Sequence, residues 1–167
     1  ERVAMLKGLS VDVLQRCYDE RVTLNPGART LVRTMVANGA GAFLVSGGFT
    51  FFTARVARAA GFQANRANTL VEAAGLLTGE VGSPILGREA KLAALREETA
   101  AAGFTPAEAL AVGDGANDLA MINEAGLGVA YRAKPIVAAE ADAKVDFADL
   151  TALLYFQGYT AADFVTD

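Results

Sequence analysis

Two carboxylates four residues apart, Asp114 and Asp118, stand in the run ALAVGDGANDLAM at residues 109–121. The apolar Leu110-Ala111-Val112 reads as a strand, and the pattern that starts at Asn117-Asp118 reads as a helix. A strand of this kind delivers Asp114 to the carboxyl end of a sheet, where open α/β sheets bind ligands. The helix brings Asp118 beside it. With no basic residue between them, the two acids would repel unless a cation sat between them. Mg²⁺ suits such a pair, because it takes oxygen ligands, keeps waters, and uses one or two carboxylates plus a phosphate. Asp-Gly and Asn-Asp are also ordinary turn residues. The flanking strand and helix tip the balance towards a metal site and phosphate chemistry.

A second element has the same design. In Leu44-Val45-Ser46-Gly47-Gly48-Phe49 a strand ends in a hydroxyl residue, glycines let backbone approach a ligand, and a helix follows. Free amides at that helix start, with the Ser46 hydroxyl, would accept phosphoryl oxygens. The competing reading is a plain helix cap made by Ser46. Lys91, in GREAKLAAL, sits among Ala90, Leu92 and Ala93. Most helical lysines are solvated, but this one has a small, apolar setting. A lysine aimed at a phosphoryl group would offset its charge.

Alternating elements must position these residues. Ser10 caps a helix through Tyr18, and Asn25-Pro26 opens a second that runs to Asn38 and is closed by Gly39. Ala42–Val45 is a strand, and Phe49–Ala59 a helix closed by Gly61. Thr69–Val81 reads as a hairpin around Ala74-Gly75, an insertion or a sheet extension. Arg88–Ala101 is an amphipathic helix, and Thr105-Pro106 leads into the acidic run. A strand at Leu127–Ala130, a helix from Pro135, a strand at Val145–Phe147 and a helix from Asp149 complete the order. Strands alternating with helices imply a mainly parallel, three-layer α/β domain.

Composition removes other chemistries. The chain has 167 residues, 53% hydrophobic and 20% charged, with a net charge of −4. That length supports one well-cored domain. The charge gives no reason to expect nucleic acid or an anionic membrane, no apolar run reaches the length of a membrane span, and Glu1 does not open a signal peptide. Cys17 stands alone, so the cytoplasm is the simplest home. The histidine count is zero, which removes Ser-His-Asp and Cys-His catalysis and His-ligated zinc. Carboxylates, lysine, arginine, hydroxyls and backbone amides are left to do any chemistry.

Together, SGGF, a lysine and GDGANDLAMI resemble the haloacid dehalogenase superfamily of phosphotransferases, and within it the phosphoserine phosphatase family. ERVAMLKGL, LNPGARTLV, LTGEV, AYRAKPIVAAEAD and DLTALLYFQGY extend the similarity over nearly the whole chain. The resemblance implies a Rossmann-like core of residues 25–167 lacking its first strand, with residues 1–24 as part of a small helical cap. It implies that Ser46 and the Gly47 amide hold the transferring phosphoryl group and that Lys91 stabilises it. Asp114 would bind Mg²⁺, Asn117 would contact substrate, and Asp118 would act at the metal site, through its waters or by orienting Lys91. Arg2 matches the arginine that grips the substrate carboxylate.

One departure matters. The family's DxDxT strand, which carries the nucleophilic and acid-base aspartates, has no counterpart in these 167 residues. The expectation is therefore the larger C-terminal part of a Mg²⁺-dependent phosphatase acting on O-phospho-L-serine in serine biosynthesis, inactive without an upstream aspartate. The alternatives are a related phosphatase or phosphotransferase for another small phosphomonoester, or a phosphate-binding fragment without catalysis. Oligomeric state is left open by the sequence.

Overall fold

The computed structural model describes residues 2–166, so Glu1 and Asp167 lie outside it. After a short 3-10 helix at Arg2–Leu6 come α1 (Asp12–Arg21), α2 (Ala28–Ala37), β1 (Phe43–Phe49), α3 (Thr50–Ala60) and β2 (Ala64–Asn68). The hairpin β3 (Leu70–Ala73) and β4 (Leu76–Val81) leads to α4 (Arg88–Ala101). β5 (Leu110–Gly113), α5 (Leu119–Glu124), β6 (Leu127–Tyr131), α6 (Pro135–Glu140), β7 (Ala143–Val145) and α7 (Ala152–Phe156) follow.

β6 shows why the second half is layered. Gly128 to Tyr131 are all buried, as expected for a parallel strand covered on both faces. Its side chains alternate between two cores. Val129 and Tyr131 join Val145, Leu31 of α2, and Leu153 and Leu154 of α7. Ala130 faces the other way, against Leu119 and Ile122 of α5 and Val137 of α6. Helices thus cover both faces of the β5-β6-β7 ladder, whose pairs are parallel.

The parallel strands form two ladders and not one continuous sheet. β1 pairs with β2 in one, and β5, β6 and β7 form the other. β1 and β5 each therefore keep an unpaired edge. The α/β expectation holds, with the sheet divided at that point. The hairpin belongs to neither ladder. Gly8 N–H donates to the Leu77 carbonyl at 2.8 Å, Leu77 N–H to Leu9 at 2.8 Å, and Val11 N–H to Gly75 at 3.0 Å. The hairpin and the N-terminal segment are therefore one unit.

Several boundaries shift for local reasons. The helix expected from Pro26 starts at Ala28, because Gly27 takes a left-handed φ of 79°. The chain cannot enter the helix through such a residue, and the Pro26 carbonyl instead accepts the Leu150 N–H at 3.0 Å. At Gly27 an added Cβ would lie 2.8 Å from the Thr151 backbone nitrogen, so the turn is closed by proximity as well. The last helix starts at Ala152 and not at Asp149, whose carboxylate accepts the Thr151 N–H at 2.9 Å and so holds the entering turn. The strand expected at Val145–Phe147 ends at Val145, leaving Phe147 exposed.

Candidate active site

The acidic turn is built around Asp118. β5 ends at Gly113, and the Asp118 carboxylate folds back over that end. One of its oxygens, Oδ2, accepts the backbone N–H groups of Asp114 at 3.1 Å and Gly115 at 3.0 Å. The other, Oδ1, accepts a hydrogen bond from Lys91 Nζ of α4. The Asp118 side chain is 3% exposed and that of Lys91 14%, so the ion pair is withdrawn from water. Satisfying both oxygens is what makes burial of this carboxylate tolerable.

From the local run alone the two acids lacked a basic partner; Lys91, distant in sequence, supplies one. Of the two roles expected for Asp118, at the metal through its waters or by orienting Lys91, the second has its contact here, with Oδ1 on the Lys91 ammonium and Oδ2 on two backbone N–H groups. Asp114 has an exposed side chain and stays open to a hard cation. Among the described residues, no group of three or more His, Cys, Asp or Glu could hold a metal ion. The acidic turn thus offers one open carboxylate, which fits a cation that fills its shell with waters and a phosphate oxygen.

Gly113 is required by proximity. A Cβ there would lie 2.5 Å from the Asp118 Cβ. Gly113→Ala should displace the Asp118 carboxylate and cost about 1–3 kcal/mol as an overpacking change. A urea-unfolding midpoint equal to that of wild type would contradict this contact. Asn117 is exposed at the same turn, with its Oδ1 folded over Gly115.

The second cradle lies at the end of β1. The ladder with β2 is regular from Phe43 to Val45 and resumes at Phe49, with its register broken over Ser46–Gly48. Ser46 Oγ accepts the Gly48 N–H at 3.0 Å, which fills one lone pair and leaves its own hydrogen free to donate. Gly47 is exposed, its φ is not left-handed, and a Cβ there would meet nothing within 4 Å. That backbone therefore faces open space.

α4 spans the two cradles. It packs against β1 on one side and α5 on the other. Arg66 of β2 bridges Glu97 and Glu98, and Arg96 pairs with Glu124 of α5 at 2.9 Å. The hydrogen bond from Arg96 holds the Glu124 carboxyl below its usual range. These pairs are exposed or half-buried, and such pairs add little stability singly, but they tie α4 to β2 and to α5. Asn68, buried between the Ser46–Gly48 stretch of β1 and the segment entering α4, was not singled out from sequence. An Asn inside a short polar strand carries no signal by itself.

Arg2 lies apart from this group. It is exposed on the 3-10 helix that packs against β4. Among the described residues, no bond joins it to Ser46, Lys91 or the acidic turn.

A family model described as haloacid dehalogenase-like hydrolase matches residues 1–123. The chain belongs to that hydrolase family. A phosphoserine phosphatase of Streptomyces coelicolor is 44% identical over 171 residues, which is 99% of this chain and 42% of that protein. One from a Polaromonas species is 46% identical, over 92% of this chain and 67% of the relative. Among solved structures, a phosphoserine phosphatase with a phospho-aspartyl intermediate analogue superposes with a TM-score of 0.86 at 33% identity. The match covers 93% of this chain and 74% of that one. A substrate-bound phosphoserine phosphatase complex gives 0.87 at 33% identity, over 93% and 73%. The chain thus spans from 42% to 67% of those two curated relatives' own length. Its fold is the haloacid dehalogenase-like α/β fold, and among the described residues no helix is long and apolar enough to cross a membrane.

Proposed function

We propose that the complete protein is a cytoplasmic, Mg²⁺-dependent phosphoserine phosphatase that hydrolyses O-phospho-L-serine to L-serine and phosphate in serine biosynthesis. The observation that carries this reading is the buried Lys91–Asp118 pair, which aims a fixed cation at the end of β5. The similarity to curated phosphoserine phosphatases over nearly the whole chain supports the choice of substrate.

In this reading Ser46 donates its hydroxyl hydrogen to a phosphoryl oxygen, and the exposed Gly47 backbone approaches the same group. Lys91 faces the oxygens on which negative charge spreads as phosphorus is transferred, where most of the catalysis of such reactions lies. Asp118 holds Lys91 in place and orders the turn that presents Asp114 and Asn117. When bound at Asp114, Mg²⁺ would draw charge from the phosphate and neutralise it. Residues 1–24 act as part of a cap over residues 25–167, and Arg2 grips the substrate carboxylate from that side.

The nucleophilic carboxylate attacks phosphorus in line and serine leaves; water then cleaves the acyl phosphate. That carboxylate comes from a DxDxT strand outside these 167 residues, seated at the unpaired edges of β1 and β5. The open edges and the greater length of the relatives support this placement. A second reading, favoured by the same two edges, makes the 167-residue chain by itself a phosphate-binding fragment. Assaying phosphoserine hydrolysis with and without Mg²⁺, first with the complete protein and then with this chain alone, separates the two. Turnover by the chain alone would overturn the need for an outside nucleophile; no turnover by the complete protein would overturn the phosphatase reading.

Substrate choice gives a further expectation. Arg2→Ala should raise KM for phosphoserine roughly 10- to 100-fold, the worth of a hydrogen bond between charged groups. The KM for p-nitrophenyl phosphate, which has no carboxylate, should not move. Equal changes for both substrates would remove Arg2 from carboxylate recognition, and phosphothreonine and phosphohomoserine in the same panel rank the acceptor pocket.

A further inference from the structure

Asn68 ends β2 opposite Phe49, where the β1–β2 ladder resumes after the break in register over Ser46–Gly48. It is 6% exposed. Its Nδ2 donates to the Gly47 carbonyl at 3.0 Å and to the Leu86 carbonyl at 3.3 Å, while its Oδ1 accepts the Leu86 N–H at 2.7 Å. Both amide hydrogens are thus used, on carbonyls from two segments far apart in sequence. One segment is Ser46–Gly48, where β1 leaves its register; the other runs into α4, which carries Lys91.

We propose that Asn68 is a positioning residue for phosphate capture and turnover, fixing the Ser46–Gly48 segment of β1 and the start of α4 relative to each other. This rests on the phosphatase reading of the site. The physical path is short on both sides. A trans peptide points its carbonyl and the next N–H in opposite directions. Pinning the Gly47 carbonyl therefore turns the Gly48 N–H towards Ser46 Oγ, which it reaches at 3.0 Å. That contact leaves the Ser46 hydrogen free for an incoming oxygen. On the other side, Leu86 is held at both its N–H and its carbonyl, immediately before Gly87 and the first residue of α4. The bond to the Gly47 carbonyl thus reaches into the stretch of β1 that has left the ladder. A buried amide with three bonded partners is a rigid brace.

Asn68→Asp keeps the shape and removes the donors, setting a carboxylate against two carbonyls. Asn68→Ser keeps one donor in a smaller side chain. In the complete protein, calorimetry with inorganic phosphate and steady-state kinetics on phosphoserine are the readouts. Asn68→Asp should weaken phosphate binding and lower kcat at least about tenfold each, on the scale of one or two lost hydrogen bonds, with Asn68→Ser in between. Amide exchange over residues 82–90 should quicken in both variants. A purely structural role would lower the folded fraction but leave the phosphate Kd of the folded molecules unchanged. A Kd within twofold of wild type in a folded Asn68→Asp or Asn68→Ser protein overturns the proposal. The two readings fail separately. A wild-type protein that binds phosphate in an Asn68-dependent way but cleaves no phosphoserine removes the phosphatase reading alone.

Discussion

Lys91→Ala in the complete protein should lower kcat for phosphoserine roughly 10²- to 10³-fold, the cost of deleting one preorganised group that stabilises transition-state charge. The size follows from the setting. The lysine side chain is 14% exposed and its position is set by a carboxylate that is 3% exposed. Its charge is thus fixed before substrate arrives and is weakly screened by water. Phosphoryl transfer asks the protein for little besides positioning and charge stabilisation. Lys91→Arg should recover little, because a planar fork cannot replace a compact ammonium held by one carboxylate oxygen. Steady-state kinetics decide the matter, and a near-normal kcat for Lys91→Ala would strip the residue of this role.

Asp118→Ala should be the most destabilising single change at the site. It removes the acceptor of the Lys91 ammonium and of the Asp114 and Gly115 N–H groups together. Removing one member of a buried ion pair costs about 3–5 kcal/mol, because the other charge is left without a partner. For a domain of this size each kcal/mol is worth roughly 2–4 °C, so Tm should fall by about 10 °C. Asp118→Asn keeps one acceptor oxygen and should lose less. Melting without ligand reads the effect apart from catalysis; an unchanged Tm for Asp118→Ala would mean that Lys91 is solvated and the pair is incidental.

The sequence was most legible where local chemistry and the period of the chain agree. GDGAND, between an apolar strand and a helix, marked Asp114 and Asp118, and SGGF marked the second cradle. The run Leu127–Ala130 located a strand, which the structure extends to Tyr131. What could not be read were pairings set by tertiary distance. Nothing in GREAKLAAL itself says that Lys91 meets Asp118, a pairing that only the family resemblance offered, as one of two roles for Asp118, and nothing in ANRAN says that Asn68 reaches Gly47 and Leu86. The Pro26 helix start failed because Gly27 answers to Asp149 and Thr151 at the far end of the chain. The hairpin read correctly from its turn, but its partner is the N-terminal segment, and that choice depends on packing.

The glycines at 113 and 47 answer to different selectors. At 113 the molecule's own carboxylate stands where a Cβ would go, so a screen for stability alone would already disfavour variants there. At 47 the architecture is indifferent, since neither backbone angle nor neighbouring atoms demand glycine. Codons randomised at that position would survive a solubility screen and be winnowed only by a growth assay that depends on activity. On the proposed reading, tolerance at 47 gauges how closely the phosphoryl group comes to that backbone.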